Sequence, residues 1–269
     1  MPRTDAVFAG SIPQLYDRYL GPTLFAPYAA DLAARLTGLR SGRLLEVAAG
    51  TGILTAALAA LPGVEITATD LNQPMLDHAA AKPGLAQVRF HQADALALPF
   101  ADQGFDAVLC QFGVMFFPDR PAAFREARRV LKPGGRFLFN CWGSIDDNPV
   151  VAVTIDALAR LYPRHRSWFM ERIPHGYRDP GVIRADLAAA GFPDCRIEAV
   201  ALRGPVASAE ALATGFCQGT PMRTELEALD PDGLPRATEA AAAAIAAQYG
   251  SGAFEAELSA FVVEAGRPA

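Results

Sequence analysis

Short apolar runs and helical stripes alternate along most of this chain. Leu44-Leu45-Glu46-Val47 is a continuous apolar run interrupted by one carboxylate, the pattern of a strand buried on both faces. A second run, Val64-Glu65-Ile66-Thr67-Ala68-Thr69, closes at Asp70, and a third, Val88-Arg89-Phe90-His91, leads into Asp94-Ala95. Residues 105–111 give a fourth, and Arg136-Phe137-Leu138-Phe139 a fifth that ends near Gly143. Between these runs the spacing becomes helical. Leu54, Leu58 and Leu61 share one side of a helix, and Pro74 opens another. Asp119 is placed to cap a third, which runs through Phe124, Ala127, Val130 and Leu131 to the stop at Pro133-Gly134-Gly135. Strands alternating with helices predict an α/β fold around a parallel sheet.

The flanks read differently. Residues 11–22 predict a short helix ended by Gly21-Pro22, and Leu24, Tyr28, Leu32 and Leu36 form the stripe of a second. After the fifth strand, 149–161 is helical and 163–170 mixes aromatic with basic residues. Residues 180–192 predict a helix with a glycine stop, and 195–202 a sixth strand. The alanine-rich stretch 207–250 is helical with breaks at Gln218-Gly219-Thr220-Pro221 and Asp230-Pro231-Asp232-Gly233, before a last strand around 254–264. There is no internal repeat and no linker, so we read a single domain.

The chemistry gathers after the first strand. Ala48-Ala49-Gly50-Thr51-Gly52 is a small-residue turn into a helix, which lets backbone approach a ligand and offers the unpaired N–H groups of a helix start. Asp70 follows the glycines by about twenty residues, where an acid at a strand end reaches the two hydroxyls of a ribose. An alternative for Asp70 is capping of the helix that follows. In open α/β sheets ligands bind outside the carboxyl ends of the strands, which puts Gln111, Phe112, Met115, Phe116 and Phe117 beside both reactants. Aromatic faces there suit a cation, although a hydrophobic loop packed on the next helix has the same spelling.

Taken in order, these motifs resemble the class I S-adenosylmethionine (SAM) dependent methyltransferases, and within them the small-molecule branch that includes the ubiquinone/menaquinone C-methyltransferases. The resemblance runs from about Tyr16 to Phe192. It implies a Rossmann-like, doubly wound, mostly parallel seven-stranded sheet with an antiparallel last strand and helical cap insertions. It divides the chain into a helical lid (1–40), a SAM-binding core (41–143), a cap insertion (144–178), more core (179–204), a second helical insertion (205–252) and the last strand (253–269). The cofactor is expected against Tyr16, Glu46, Ala48, Gly50, Thr51, Gly52, Thr55, Asp70, Leu71, Met75, Asp94, Ala95, Gln111 and Phe112. In the family the acid at Glu46 contacts the amino-acid end of SAM; a purely structural carboxylate is the alternative. Ala48 stands where the family often has glycine. Asp94 accepts from the adenine amine, with the Ala95 N–H beside it, unless Asp94 only closes an Asx turn. Gln111 offers a carbonyl to the ammonium. Tyr16 and Tyr19 either touch the ligand or pack on the sheet edge. His165 and His175 are the candidate bases, and with Trp168 and Tyr177 they are candidates for acceptor contact; Gln218 and Arg223 are candidates for pocket lining. His91 reads as structural.

Bulk properties narrow the partners. The net charge of −5 and pI of about 5.4 speak against a nucleic-acid or anionic-membrane surface. No run is long and apolar enough to span a bilayer, and Met1-Pro2-Arg3-Thr4-Asp5 lacks a signal-peptide pattern, so a cytoplasmic protein is expected. Cys110, Cys141, Cys195 and Cys217 are too dispersed for a metal or redox pair, and no metal is expected. The predicted reaction is methyl transfer from SAM to a small apolar or aromatic acceptor, releasing S-adenosylhomocysteine (SAH); a homodimer is left open. A non-catalytic SAM-binding protein is one rival, and SAM chemistry other than methyl transfer is another. An NAD(P)-dependent oxidoreductase is a weaker one, because Gly50-Thr51-Gly52-Ile53-Leu54-Thr55 lacks a third small residue and Asp94-Ala95 would have no role.

Overall fold

The computed structural model describes residues 5, 8–36, 38, 39 and 41–269; the reading of Met1 to Thr4 as free of a signal peptide lies outside them. Seven strands form one sheet in the order β3-β2-β1-β4-β5-β7-β6. β1 (Gly42–Val47), β2 (Val64–Asp70), β3 (Arg89–Gln92), β4 (Phe105–Gln111) and β5 (Leu131–Trp142) pair in parallel. β7 (Phe254–Gly266) runs antiparallel between β5 and β6 (Cys195–Val206). The chain steps outward from β1 to β2 and β3, then returns to β4 on the other side of β1. In open α/β sheets the ligand crevice lies at such a reversal, outside the carboxyl ends of the strands.

Burial follows the apolar pattern. Leu44, Leu45, Val108 and Leu109 of the two central strands are fully buried, as covering of both faces requires. On one face Phe124 of α5 (Arg120–Val130) meets Phe137 and Phe139 of β5, and Phe192, just past α8 (Pro180–Ala189), packs on Phe137. The predicted stripe Leu24, Tyr28, Leu32 and Leu36 is buried, and the Tyr28 hydroxyl donates to the Val200 carbonyl at 2.8 Å. The remaining helices are α3 (Ile53–Ala59), α4 (Gln73–Ala80), α6 (Pro149–Leu161), α7 (Phe169–Arg172), α9 (Ala209–Gln218), α10 (Met222–Leu229) and α11 (Leu234–Tyr249).

The N-terminal segment differs from expectation. Gly21-Pro22 ends no helix. A short α1 (Ile12–Leu15) passes into a π-helical stretch, Tyr16–Phe25, and on into α2 (Ala26–Ala34). In an α-helix the proline ring clashes with the carbonyl of residue i−4, and the wider i→i+5 turns carry the chain past that clash. Gly21 instead serves close approach: a Cβ there would meet Ile53 Cδ1 at 3.2 Å. The same segment presses Leu20 onto Gly215 of α9, where a Cβ would lie 2.5 Å from Leu20 Cδ2.

Strand ends also shift. α5 stops at Val130, and Leu131 already pairs with Phe105, so the Pro133-Gly134-Gly135 stop falls inside the strand's span. β6 continues through Gly204-Pro205 to Val206, opposite Phe254. β6 is an edge strand, where proline costs no bond to a neighbouring strand, and the Pro205 carbonyl accepts from the Thr23 hydroxyl at 2.6 Å. Among the described residues no helix is long and apolar enough to cross a membrane, and all four cysteines are unpaired.

Candidate active site

At the β1/β4 reversal lies a cavity of about 300 Å³. The loop after β1 builds its floor. Ala48, Gly50 and Gly52 all have positive φ (54°, 56° and 80°), so every second residue of the turn is left-handed. Glycine takes this freely; in Ala48 it costs roughly 1–2 kcal/mol. The Ala48 methyl packs against Gly113, where a Cβ would come within 2.5 Å of it. Opposite, Phe112 also sits at φ 48°, an outlier for a bulky side chain at a strand end. It is held there by a bond from its N–H to Asn140 Oδ1 at 2.8 Å and by stacking on Trp142 at 3.8 Å.

Asp70, at the end of β2, is 7% exposed and lines the cavity. Its Oδ2 accepts from the Gly50 N–H at 2.9 Å and its Oδ1 from the Asn72 N–H at 2.8 Å. It does not cap α4, whose N-cap position is Asn72. Burial pushes the Asp70 carboxyl above its usual range, further than those backbone bonds pull it down. Beside this buried acid, Leu71 is 55% exposed at the mouth, an uncommon position for a large apolar residue. Asp94 Oδ1 accepts from the Leu96 N–H at 2.9 Å, which closes an Asx turn and leaves Oδ2 available. Gln111 donates from Nε2 to the Phe25 carbonyl at 2.8 Å, so its remaining acceptor is Oε1.

Ten of the fourteen residues expected at the cofactor line this cavity: Tyr16, Ala48, Gly50, Asp70, Leu71, Met75, Asp94, Ala95, Gln111 and Phe112. Glu46, Thr51, Gly52 and Thr55 lie behind it. Glu46 is 1% exposed and accepts from the Thr55 hydroxyl at 2.6 Å, tying β1 to α3; burial pushes its carboxyl up to about 8. The Thr51 hydroxyl donates to Asp17 Oδ1 at 2.7 Å. Asp17 also takes Lys82 and, at 3.3 Å, His78, so the π-helical stretch is latched to both the glycine turn and the end of α4. Burial alone would raise Asp17, but the bonds from Lys82 and Thr51 outweigh it and hold the carboxyl low. The latch seats Tyr16 over the cavity, stacked on Phe25 at 4.7 Å. Burial and the neighbouring Asp70 and Asp17 keep the Tyr16 phenol protonated far above its ordinary range.

The structure does not bring the two histidines to this cavity. His175 is buried behind Trp142, its Nδ1 is 2.8 Å from the Gly143 carbonyl, and burial pushes it down to about 4. His165 Nε2 lies 3.0 Å from Glu225 Oε1, in a cluster with Arg172. Trp168, Tyr177, Gln218 and Arg223 are likewise absent from the lining, as are Tyr19 and Met115. The lining adds Phe8 and Asn72, which the sequence had not singled out, with Phe116, Phe117 and Pro118. Asn72 stands two residues past Asp70 and was findable by position. Phe8 carries no periodic signal; its N–H reaches Asn72 Oδ1 at 3.3 Å and its ring meets Tyr16 and Phe116 edge-on, both at 5.8 Å.

The donor set fits an adenosyl sulfonium. Asp70 Oδ2 keeps a second lone pair for a ribose hydroxyl, while Oδ1 also takes Asn72 Nδ2 at a longer 3.4 Å that a hydroxyl could displace; Leu71 supplies an apolar shelf for a base, and the cavity's acids and aromatic faces suit a cation. Comparison with known proteins agrees. Residues 45–139 match the family described as "Methyltransferase domain". The demethylmenaquinone methyltransferase of Deinococcus radiodurans is 36% identical over 164 residues, 59% of this chain and 66% of that one. The chain spans between 41% and 66% of the lengths of the curated relatives it matches. Among solved structures, phosphoethanolamine N-methyltransferase 2 of Haemonchus contortus, in complex with SAM, superposes with a TM-score of 0.61 at 17% identity, covering 96% of this chain and 57% of that one. The [4+2]-cyclase SpnF superposes at 0.55 with 22% identity, over 96% and 93%; these two likenesses show the fold alone. Motifs, topology and family match converge: the core of this chain belongs to the SAM-dependent methyltransferases, a family whose cofactor is S-adenosyl-L-methionine.

Proposed function

We propose that the protein transfers the methyl group of SAM to a small, flat, apolar acceptor. One observation carries the reading. A single cavity is lined both by the glycine turn, Asp70 and Asp94 and by Phe8, Tyr16, Phe116, Phe117 and Pro118. When bound, SAM supplies a sulfonium methyl open to in-line displacement: the acceptor's lone pair forms the new bond to carbon and the carbon–sulfur pair leaves with SAH. Asp70 fixes the ribose, Asp94 and Ala95 read the adenine edge, and Gln111 Oε1 faces the ammonium. The rings of Phe8, Tyr16, Phe116 and Phe117 hold the acceptor flat and keep water out. Alignment of two bound reactants supplies roughly 7–11 kcal/mol, and a dry site favours a step in which charge is cancelled. No side chain is assigned as base.

The D. radiodurans relative is named for a quinone precursor, and an aromatic ring of that shape suits a wall of phenylalanines. In this reading residues 1–40 act as the lid and 144–178 as the cap. A cytoplasmic setting is part of the proposal, supported by four unpaired cysteines. The test is transfer of isotope-labelled methyl from SAM into a fractionated bacterial small-molecule extract, with Asp70→Ala as control. Label in a discrete apolar product, absent with the variant, is expected. Label confined to anionic products, protein or nucleic acid contradicts the acceptor class. No label from a protein that binds SAM in titration favours non-catalytic binding.

A further inference from the structure

The loop after β4 turns the corner of the cavity in a few residues, and a side chain outside the cavity grips it. Val114–Phe116 is a 3₁₀ turn, and Phe116, Phe117 and Pro118 form the wall. Arg120, the first residue of α5, reaches back over that turn. Its Nε donates to the Val114 carbonyl at 3.2 Å and its Nη2 to the Met115 carbonyl at 3.1 Å. The same guanidinium lies 4.2 Å from the centroid of the Tyr177 ring, well inside cation–π range. Tyr177 is buried and donates from its hydroxyl to Asp186 Oδ2 at 2.8 Å, so the ring is anchored to α8. One planar group therefore joins the wall of the cavity to the chain that closes the 144–178 segment.

We propose that Arg120 is a positioning residue for the acceptor: it clamps the Val114–Phe116 turn against Tyr177 and so sets where Phe116 and Phe117 stand. The proposal rests on the methyl-transfer reading and adds a determinant of acceptor fit that does not itself line the cavity. Phe116 stands at a junction, edge-on to Phe8 at 5.8 Å and tilted against Phe169 of α7 at 6.3 Å. A shift of the turn moves that ring relative to the lid and the cap together. Arginine is required by the geometry, because two carbonyls and an aromatic face are met by one rigid fork; lysine presents a compact point charge. The clamped segment touches the donor side at Gly113, against which Ala48 packs, while Asp70 and Gly50 are held by backbone bonds of their own.

The test compares wild type with Arg120→Met, Arg120→Lys and, from the other face of the clamp, Tyr177→Leu. Three quantities are read: SAH affinity by calorimetry, affinity of the SAH-saturated protein for 2-naphthol as a flat apolar probe, and amide hydrogen exchange over 112–118. The Phe116 and Phe117 amides bond to the Gly113 and Val114 carbonyls, so they report opening of the turn. Expected are SAH affinity within twofold of wild type, exchange at 112–118 faster by tenfold or more, and 2-naphthol binding at least fivefold weaker, with no rescue by lysine. Unchanged exchange at 112–118, or SAH and 2-naphthol affinity falling in parallel, overturns the clamp. If wild type binds SAH but not 2-naphthol, the acceptor half of the proposal is wrong. If wild type does not bind SAH, the methyl-transfer reading itself fails, and the exchange data alone decide whether Arg120 holds the turn.

Discussion

The two sets of residues that line the cavity, those read as holding the donor and those read as facing the acceptor, are built in opposite ways. The donor end is local: Ala48 to Gly52 and Asp70 to Asn72 lie at the tips of adjacent strands and are cross-linked by the Gly50–Asp70 bond. The acceptor end is assembled from distance: Phe8 from the N-terminus, Tyr16 from the π-helical stretch, Phe116 and Phe117 from the loop after β4, steadied by Phe169 and Tyr177. Hydrogen bonds specify the first, and ring packing specifies the second. On the proposed reading the hydrogen-bonded set holds the cofactor and the rings face the acceptor, so changes among the rings alter acceptor fit first.

The sharpest break in this contrast is Asp70→Ala. On the proposed reading it removes the ribose contacts, and it leaves the Gly50 and Asn72 N–H groups without the carboxylate that accepts from them. Two charge-assisted bonds are worth about 3–6 kcal/mol, so SAH affinity should fall by roughly 150-fold or more, with a cooperative melt retained. Unchanged affinity in a calorimetric titration removes Asp70 from the site.

Next in size is the pH dependence of Glu46. With its pKa raised to about 8 in the folded state, against about 4.3 in the unfolded chain, the folded protein holds a proton there that the unfolded chain has lost. Stability from this group is therefore full below about pH 4 and declines as pH rises toward 8. Glu46→Gln keeps an acceptor for the Thr55 hydroxyl and cannot titrate. Denaturant melts should show wild type losing stability relative to this variant between pH 5 and 8. Parallel curves would show that Glu46 is ionised in the folded protein throughout.

Phe116→Ala sharpens the contrast from the other side. It should leave SAH affinity within about twofold and lower kcat/KM for an apolar acceptor about tenfold, a loss of about 1.4 kcal/mol. A variant that loses SAH affinity equally shows that the two ends are not separable. The smallest effect is expected for Ala48→Gly. Relief of the left-handed backbone offsets the added chain entropy and the lost methyl contact, so stability should change by less than about 1 kcal/mol. A melting shift of no more than about 2–4 °C checks it.

The same contrast explains what could be read before the structure. That Gly50, Asp70 and Asp94 meet in one cavity was legible because they fall at strand ends in a set order and needed only local spacing. The breaks at Gln218–Pro221 and Asp230–Gly233 likewise separate α9, α10 and α11. The Gly21-Pro22 stop misled because a π-helical stretch, invisible to a 3.6-residue period, carries the chain through it. Phe8 and the Arg120–Tyr177 pair were hidden for a different reason. Their contacts span long sequence separations, and no periodicity encodes which distant ring will meet which. His165 and His175 drew notice as titratable side chains, yet each is bound within its own packing, to Glu225 and to the Gly143 carbonyl.

The most direct test of the two-ended cavity is a crystal structure of the protein with SAH. The account predicts the ribose hydroxyls within hydrogen-bond distance of both Asp70 oxygens, the adenine against Leu71 near Asp94, and the sulfur turned toward Phe116 and Phe117. SAH bound in the reverse sense, with its base among those phenylalanines and Asp70 bonded only to Gly50 and Asn72, would contradict it.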